Sequence, residues 1–358
     1  MKNLIRFKVG PSIFNQIRDE GLNPKRVRVF AAPAGGPKWF VSVGFDKALI
    51  KTKFFEKSSF DRVLLAGASA GAWRCMAMAC EKPLSAYEKL RISYSRNIFT
   101  SQDTPLSISR KLLENVDSFL TDVDINHILN HPKLDLAIHV VRSKNLAASD
   151  NIHAQGLGLI LSAVLNVFDS NWLKLFFDKV IFYTGPRKPN FTEYGQQKWT
   201  FKLDAQNIRK VALATGSLPY FIKGVSEISG APHGVYRDGG LINYQLNEDY
   251  QPGEGLILFF HYQERISPGW FDKKLPWKKT SEKTLDRVLQ IFPSAEFVKM
   301  LPDGKIPDRK DFTTFVKSPG ERIRRWDKVC QLSELLAEEF MESIESGRIR
   351  DRIEPLFP

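Results

Sequence analysis

Residues 61–80 read DRVLLAGASAGAWRCMAMAC: an apolar run breaks into a turn of small residues and leaves it as an Ala- and Met-rich segment. A short apolar run bounded by glycine is the pattern of a buried strand, and an Ala- and Met-rich segment favours helix, so the stretch predicts strand, tight turn and helix. The same construction stands just upstream. KRVRVFAAP (25–33) is β-branched and aromatic, breaks into Ala34-Gly35-Gly36, and passes Pro37 into a helix expected to reach about Ile50. Proline is tolerated there because the first turn of a helix has no use for its missing N–H. Two strand–loop–helix units in succession demand a mostly parallel central sheet flanked by helices, because parallel neighbours need a crossover to join them.

The rest of the chain fits that α/β class. Strands are expected at 134–143, 179–184, 199–203 and 255–262, with another leading to Asp238; helices are expected at 84–98 and 105–130. The tail 320–346 is amphipathic, with Ile323, Trp326, Val329, Cys330, Leu335 and Phe340 toward one side. Pro268, Pro276 and the lysines around 273–279 mark a break. The organisation expected is an α/β domain over residues 1–267 and a mainly helical C-terminal extension, residues 268–358, packed on it. With 43% hydrophobic and 26% charged residues in 358, the chain is globular, and disorder and collagen are excluded.

Charge and cysteine narrow the partners. Lys and Arg outnumber Asp and Glu 52 to 40, and residues 1–60 alone carry twelve against four, a net +8. A basic end suits an anionic partner such as a lipid surface, and equally serves as a solvated face. No nucleic-acid partner is expected, since no recognition motif accompanies the charge. Cys75, Cys80 and Cys330 form no CxxC pair and no disulfide framework, which points to a reducing, cytoplasmic setting. The opening MKNLIRFKVGPSIF lacks the apolar region of a secretory signal, and the apolar stretch 156–167 is too short to span a bilayer, so the expectation is a soluble or peripheral protein.

The turn inside residues 61–80 carries the chemistry. Gly67-Ala68-Ser69-Ala70-Gly71 is GxSxG. A nucleophilic serine must project from a sharp strand-to-helix turn, and glycines on either side remove Cβ atoms that would clash there. The helix after the turn aims free N–H groups at the reacting centre. Gly35 and Gly36 lie in a second strand-to-helix loop whose amides are placed to meet an oxyanion, with Lys38 adding positive potential. Asp238-Gly239-Gly240 comes after a strand-like VYR, and the glycines let the carboxylate approach another backbone. His127 and His131 share a helix face, but no third ligand is apparent, and neither metal nor cofactor is expected. Segment 157–176 puts Leu157, Leu161, Val164, Leu165, Phe168, Trp172, Leu175 and Phe176 on one helical face, which either faces the core or forms a lipid-facing wall.

Taken in order, these blocks resemble the patatin-like phospholipase family. The resemblance rests on the glycine loop at Gly35-Gly36, on Gly67-Ala68-Ser69-Ala70-Gly71-Ala72, on Ala214-Thr215-Gly216-Ser217-Leu218-Pro219-Tyr220-Phe221 and on Asp238-Gly239-Gly240, and it runs from about Val27 to Asn243. The first loop departs from the family's G-G-G-x-[RK]-G: it keeps two glycines and Lys38 and lacks the outer glycines. The resemblance implies a three-layer fold and a lipid acyl hydrolase acting on phospholipids, lysophospholipids or other fatty-acyl esters. It implies Ser69 as nucleophile, Asp238 as base without histidine, the amides of Gly35, Gly36 and Ala70 as oxyanion hole, and Lys38, Gly67, Gly71, Gly239 and Gly240 as supports. Separately, the net +8 of residues 1–60 and the apolar segment 156–177 lead to the expectation of transient docking on anionic membranes through the basic N-terminal region, with the apolar segment as the entry for an acyl chain. Two alternatives stand beside this: a Ser69–Asp238–His261 triad in the order of α/β-hydrolases, and a catalytically silent lipid-binding protein.

Overall fold

The protein is described by a computed structural model covering residues 3–186, 188 and 198–357. Eleven strands among these residues form one sheet: β1 (Ile5–Val9), β2 (Val27–Ala32), β3 (Val63–Ala68), β4 (Leu134–Ser143), β5 (Phe177–Tyr183), β6 (Lys198–Lys202), β7 (Val225–Ser226), β8 (Val235–Asp238), β9 (Leu256–Phe260), β10 (Val288–Pro293) and β11 (Ile353–Pro355). The order is β11-β1-β10-β9-β2-β3-β4-β5-β6, and the run from β10 to β4 is parallel throughout. The architecture is therefore mixed α/β around a mostly parallel sheet.

Alternation along the strands divides the core in two. Phe30, Leu65, Leu136, Ile138 and Val140 face the larger cluster, under the helices Ala70–Met78, Pro83–Ser95 and Pro319–Glu345. Their neighbours Val29, Ala31, Ala66, Ala137 and Phe259 face a smaller cluster, closed by Leu246, Tyr250 and Leu285. Strands buried on both faces read as continuous apolar runs, which is why β3 and β9 stood out in the sequence.

Residues 268–358 also contribute two strands to the sheet: β10 lies inside it between β1 and β9, and β11 extends its edge beyond β1. The run VLQIFP is short and proline-ended, and its partners are remote in sequence, so no local pattern marked it. The helix expected over 105–130 is two helices, Pro105–Phe119 and Asp122–Leu129, each opened by its own capping box, Thr104 with Ser107 and Thr121 with Asp124.

The long helix Pro319–Glu345 lies on the helix Val43–Lys51, where Gly44 N donates to Ser333 Oγ at 2.8 Å and a Cβ on Gly44 would meet the Ser333 carbonyl at 2.4 Å. Beneath them Arg74 reaches Asp46 with two hydrogen bonds, of 2.6 and 2.9 Å, and Tyr87 donates to the same carboxylate. All three are buried, so one ion pair ties together three helices, one of which begins at Ser69. Removing one partner of a buried pair leaves an uncompensated charge. Asp46→Ala is expected to lower unfolding free energy by about 3–5 kcal/mol, read as a drop in the urea midpoint.

Candidate active site

β3 ends at Ala68, and Ser69 takes φ 54° and ψ −133°, a conformation few side-chain-bearing residues adopt, before the helix Ala70–Met78 begins. The turn is held from both sides. A Cβ on Gly71 would lie 2.2 Å from the Ala32 carbonyl, and one on Gly67 would meet the Gly71 backbone at 2.8 Å. The Thr215 hydroxyl accepts from Ser69 N at 2.8 Å and donates to the His139 carbonyl at 2.7 Å.

Asp238 arrives from the other direction. β4 carries β3 along its first half, with Ala68 opposite His139, and antiparallel β8 along its second half, with Asp238 opposite Val140. The two strands meet end to end on β4, and Ser69 Oγ donates to Asp238 Oδ2 at 2.8 Å. Gly240 N donates to Oδ1 at 2.8 Å, and a Cβ on Gly239 would strike the His139 carbonyl at 2.2 Å. Both side chains are nearly buried, at 4% and 3% exposure. Burial pushes the Asp238 carboxyl above its ordinary value; Arg309, the Gly240 amide and the Ser69 hydroxyl work against that shift.

The glycine loop faces the same space. Gly36 has φ 57°, and Tyr262, which donates to the Ala34 carbonyl at 3.0 Å, packs so closely that a Cβ on Gly35 would touch its ring at 2.8 Å. The amides of Gly35, Gly36 and Ala70 have no protein acceptor among the described residues. Lys38 Nζ lies 4.8 Å from the centre of the Tyr262 ring and forms no ion pair with Asp238 among the described residues. The cation beside Asp238 is instead Arg309, with Nη2 3.9 Å from Oδ2. Sequence reasoning missed Arg309: nothing in GKIPDRKDF marks it, and only folding brings it under Gly36, where a Cβ would stand 2.9 Å from its Nε.

Gly36, Ser69, Ala70 and Arg309 line a cavity of about 400 Å³, walled by Trp73, Tyr94, Phe99, Ile108, Leu112, Leu218, Phe221, Ile222 and Phe312. Its walls are mostly apolar, with polar groups at Ser69, Asn97, Arg309, Lys310 and Thr313, and its size is that of a small-molecule site. Close by, the helix Ile152–Phe168 is inside out. It buries Gln155, Gly158, Ser162 and Asn166, and exposes Leu157, Ile160, Leu161, Val164, Val167 and Phe168, the last at 79%. A Cβ on Gly158 would meet Ala147 N at 2.6 Å, so a close approach of backbones sets which face turns inward. Leu165 is half-buried and Phe176 buried, so the apolar face expected over 157–176 is only partly outward. Tyr220 N donates to Gln155 Oε1 at 2.5 Å, joining this helix to the turn whose Phe221 lines the cavity.

Other residues singled out in the sequence lie apart. His261 is fully buried, its Nδ1 against the Gln263 carbonyl, and burial pulls its pKa down to about 3. No hydrogen bond joins it to Ser69 or Asp238 among the described residues, so the Ser69–Asp238–His261 arrangement is not assembled. The rings of His127 and His131 are 4.9 Å apart, and no group of three or more His, Cys, Asp or Glu suited to a metal occurs among the described residues. The basic charge of residues 1–60 is partly answered by distant acids: Arg6 by Glu264 and Glu354, Lys8 by Glu264 and Lys47 by Glu334.

No protein-family model and no curated protein matches the chain. Among solved structures, human GIVD cytosolic phospholipase A2 is similar at 11% identity and a TM-score of 0.39, over 95% of this chain and 62% of that one. The chain thus spans less than two thirds of the length of that structure, and a likeness this distant assigns neither a family nor an activity.

The position of Asp238 has a thermodynamic consequence. Its native pKa stands above the unfolded value, so proton binding favours the folded over the unfolded state, and the stability this group contributes falls as pH rises through that window. Asp238→Asn keeps the acceptor for Gly240 N and removes the buried charge. The variant is expected to melt above wild type at neutral pH, with the gap closing below the ordinary aspartate range, as read by thermal denaturation across pH.

Proposed function

We propose that the protein is a serine acyl hydrolase that cleaves fatty-acyl esters, phospholipids or lysophospholipids foremost, through Ser69 and Asp238. One observation carries the reading: the Ser69 Oγ–Asp238 Oδ2 hydrogen bond of 2.8 Å at the polar end of an apolar cavity. A hydroxyl already bonded to a carboxylate is poised to lose its proton, and the apolar walls suit an acyl chain. The block order from Gly35 to Gly240, which resembles that of patatin-like phospholipases, supports the same assignment.

Ser69 Oγ attacks the ester carbonyl carbon and passes its proton to Asp238. The tetrahedral oxyanion takes hydrogen bonds from the amides of Gly35, Gly36 and Ala70, which have no other acceptor among the described residues. Collapse breaks the ester C–O bond, and the alcohol leaves with the proton from Asp238. Water then attacks the acyl-enzyme, again giving a proton to Asp238, and the fatty acid departs as Ser69 recovers its hydrogen. Raised by burial, Asp238 is a stronger base than a solvated aspartate.

The substrate side of the molecule is apolar and cation-rimmed. Trp172 and Lys174 are exposed just beyond the helix Ile152–Phe168, where Lys278 Nζ donates to Ser170 Oγ at 3.2 Å, and Trp277 beside Lys278 in the chain is exposed as well. Aromatic and lysine side chains around an apolar helix face are the composition of an interfacial surface, and each lysine near an anionic bilayer contributes about 1 kcal/mol. The docking face of this reading is that helix and its collar rather than the N-terminal residues.

Two experiments test the proposal. Ser69→Ala is expected to fold, to lose more than about a hundredfold of ester hydrolysis and to lose labelling by a fluorophosphonate, while His261→Ala keeps activity wherever it folds. Labelling at another serine, or full activity in Ser69→Ala, excludes the assignment; no labelling of wild type leaves the lipid-binding reading. In vesicle sedimentation the protein is expected to bind phosphatidylserine-containing but not pure phosphatidylcholine vesicles, with binding weakened by salt and by Phe168→Ser or Trp172→Ala. Equal binding to both vesicle types, or indifference to those substitutions, removes the docking face.

A further inference from the structure

Arg237 precedes Asp238 on β8, and because neighbours on a strand alternate, its side chain points to the opposite face. It is 1% exposed, and no carboxylate lies within ion-pair distance of it among the described residues. Nη1 donates to the Ile222 carbonyl at 3.1 Å, and Nε has no partner among the described residues. A guanidinium buried without an anion is a large desolvation penalty left uncompensated. Burial pulls its pKa down to about 10, with Asp150 acting in the opposite sense, so Arg237 remains charged at neutral pH.

Arg237 forms one wall of a second cavity, of about 270 Å³, with Lys223, Asp150, Gln155 and Tyr220 on other walls. Two helices begin there: Pro105–Phe119, through Thr104, Pro105 and Leu106, and Ile152–Phe168, through Ile152. Thr104 and Asn151 already cap the amides of Ser107, His153 and Ala154, so the helices bring field rather than bonds. Each helix start is equivalent to about half a positive charge. Arg237 and Lys223, less Asp150, with the two helix starts, leave the cavity about two charges positive, which matches a phosphate better than a single carboxylate.

We propose that this cavity binds a phosphate group, gripped by the Arg237 guanidinium and the Lys223 ammonium between the starts of the two helices. Guanidinium suits the task because its planar fork meets two phosphate oxygens at once. The site does not depend on the acyl-hydrolase reading, although the two cavities share Ile222 and are divided by the turn 218–223. The phosphate arrives either on a lipid headgroup, since the exposed helix face begins at Ile152 on the rim of this cavity, or as a free anion.

Thermal denaturation of the full chain in inorganic phosphate, against chloride at matched ionic strength, tests the site. Phosphate is expected to raise the midpoint saturably. Lys223→Gln is expected to weaken the apparent affinity about tenfold, the loss of one charge-assisted contact, and Asp150→Asn to strengthen it. Arg237→Gln is expected to abolish the effect; should that buried change unfold the protein, the opposite responses of Lys223→Gln and Asp150→Asn decide by themselves. Vesicles of phosphatidylcholine with or without phosphatidic acid separate the sources. Phosphate-reversible binding to the phosphatidic acid vesicles, altered by the same two substitutions, identifies a headgroup. Stabilisation by phosphate in a protein that ignores both vesicles identifies a free ligand. Equal shifts in chloride and phosphate, or shifts that neither Lys223→Gln nor Asp150→Asn changes, overturn the proposal.

Discussion

One strand sets the geometry of the site. β4 is long enough to pair with β3 along its first six residues and with β8 along its last four, on the same edge, while β5 covers the other edge. The residue after β3 and the last residue of β8 therefore meet, and a hydroxyl and a carboxylate almost 170 positions apart in the chain come within 2.8 Å. The seam is tight. His139, opposite Ala68, offers the carbonyl that Thr215 caps and that excludes any side chain on Gly239. A register slip of one residue on either partner would turn Ser69 or Asp238 to the opposite face, so the pairing itself acts as the alignment device.

The turn at Ser69 keeps a strained φ because Gly67, Gly71 and Thr215 over-determine it. The Asp46–Arg74–Tyr87 cluster anchors the helix that starts there, and the C-terminal helix braces Val43–Lys51 behind the glycine loop. Remote segments thus hold the glycine loop and Ser69 in one frame, and Arg309 closes it from the C-terminal third of the chain.

The surface next to the site departs from the usual arrangement. A helix that buries glutamine, glycine, serine and asparagine while exposing leucine, isoleucine and phenylalanine gains little from folding alone. Its inner side is kept in place by a close backbone approach at Gly158 and by Asn166, which donates to Asp272 at 2.7 Å. The apolar groups left outside adjoin, through Gln155 and Tyr220, the turn that separates the two cavities.

Local sequence determined a large part of this molecule. β2, β3, β4 and β9, the sharp turn at Ser69 and the paired glycines at 35–36 and 239–240 were legible because buried runs, turns and missing Cβ atoms are local constraints written in adjacent residues. The amphipathic C-terminal helix was legible for the same reason, with Trp326, Val329, Cys330 and Phe340 buried as its periodicity required. What the tertiary structure alone decided depends on contacts between distant segments: β10 inside the sheet, Arg309 rather than Lys38 beside Asp238, His261 locked away from both, and the outward turn of Ile160 and Phe168. Periodicity specifies that a helix has an apolar face but not which way it points. That choice was made by Gly158 against Ala147, a contact between backbones that no side-chain pattern records.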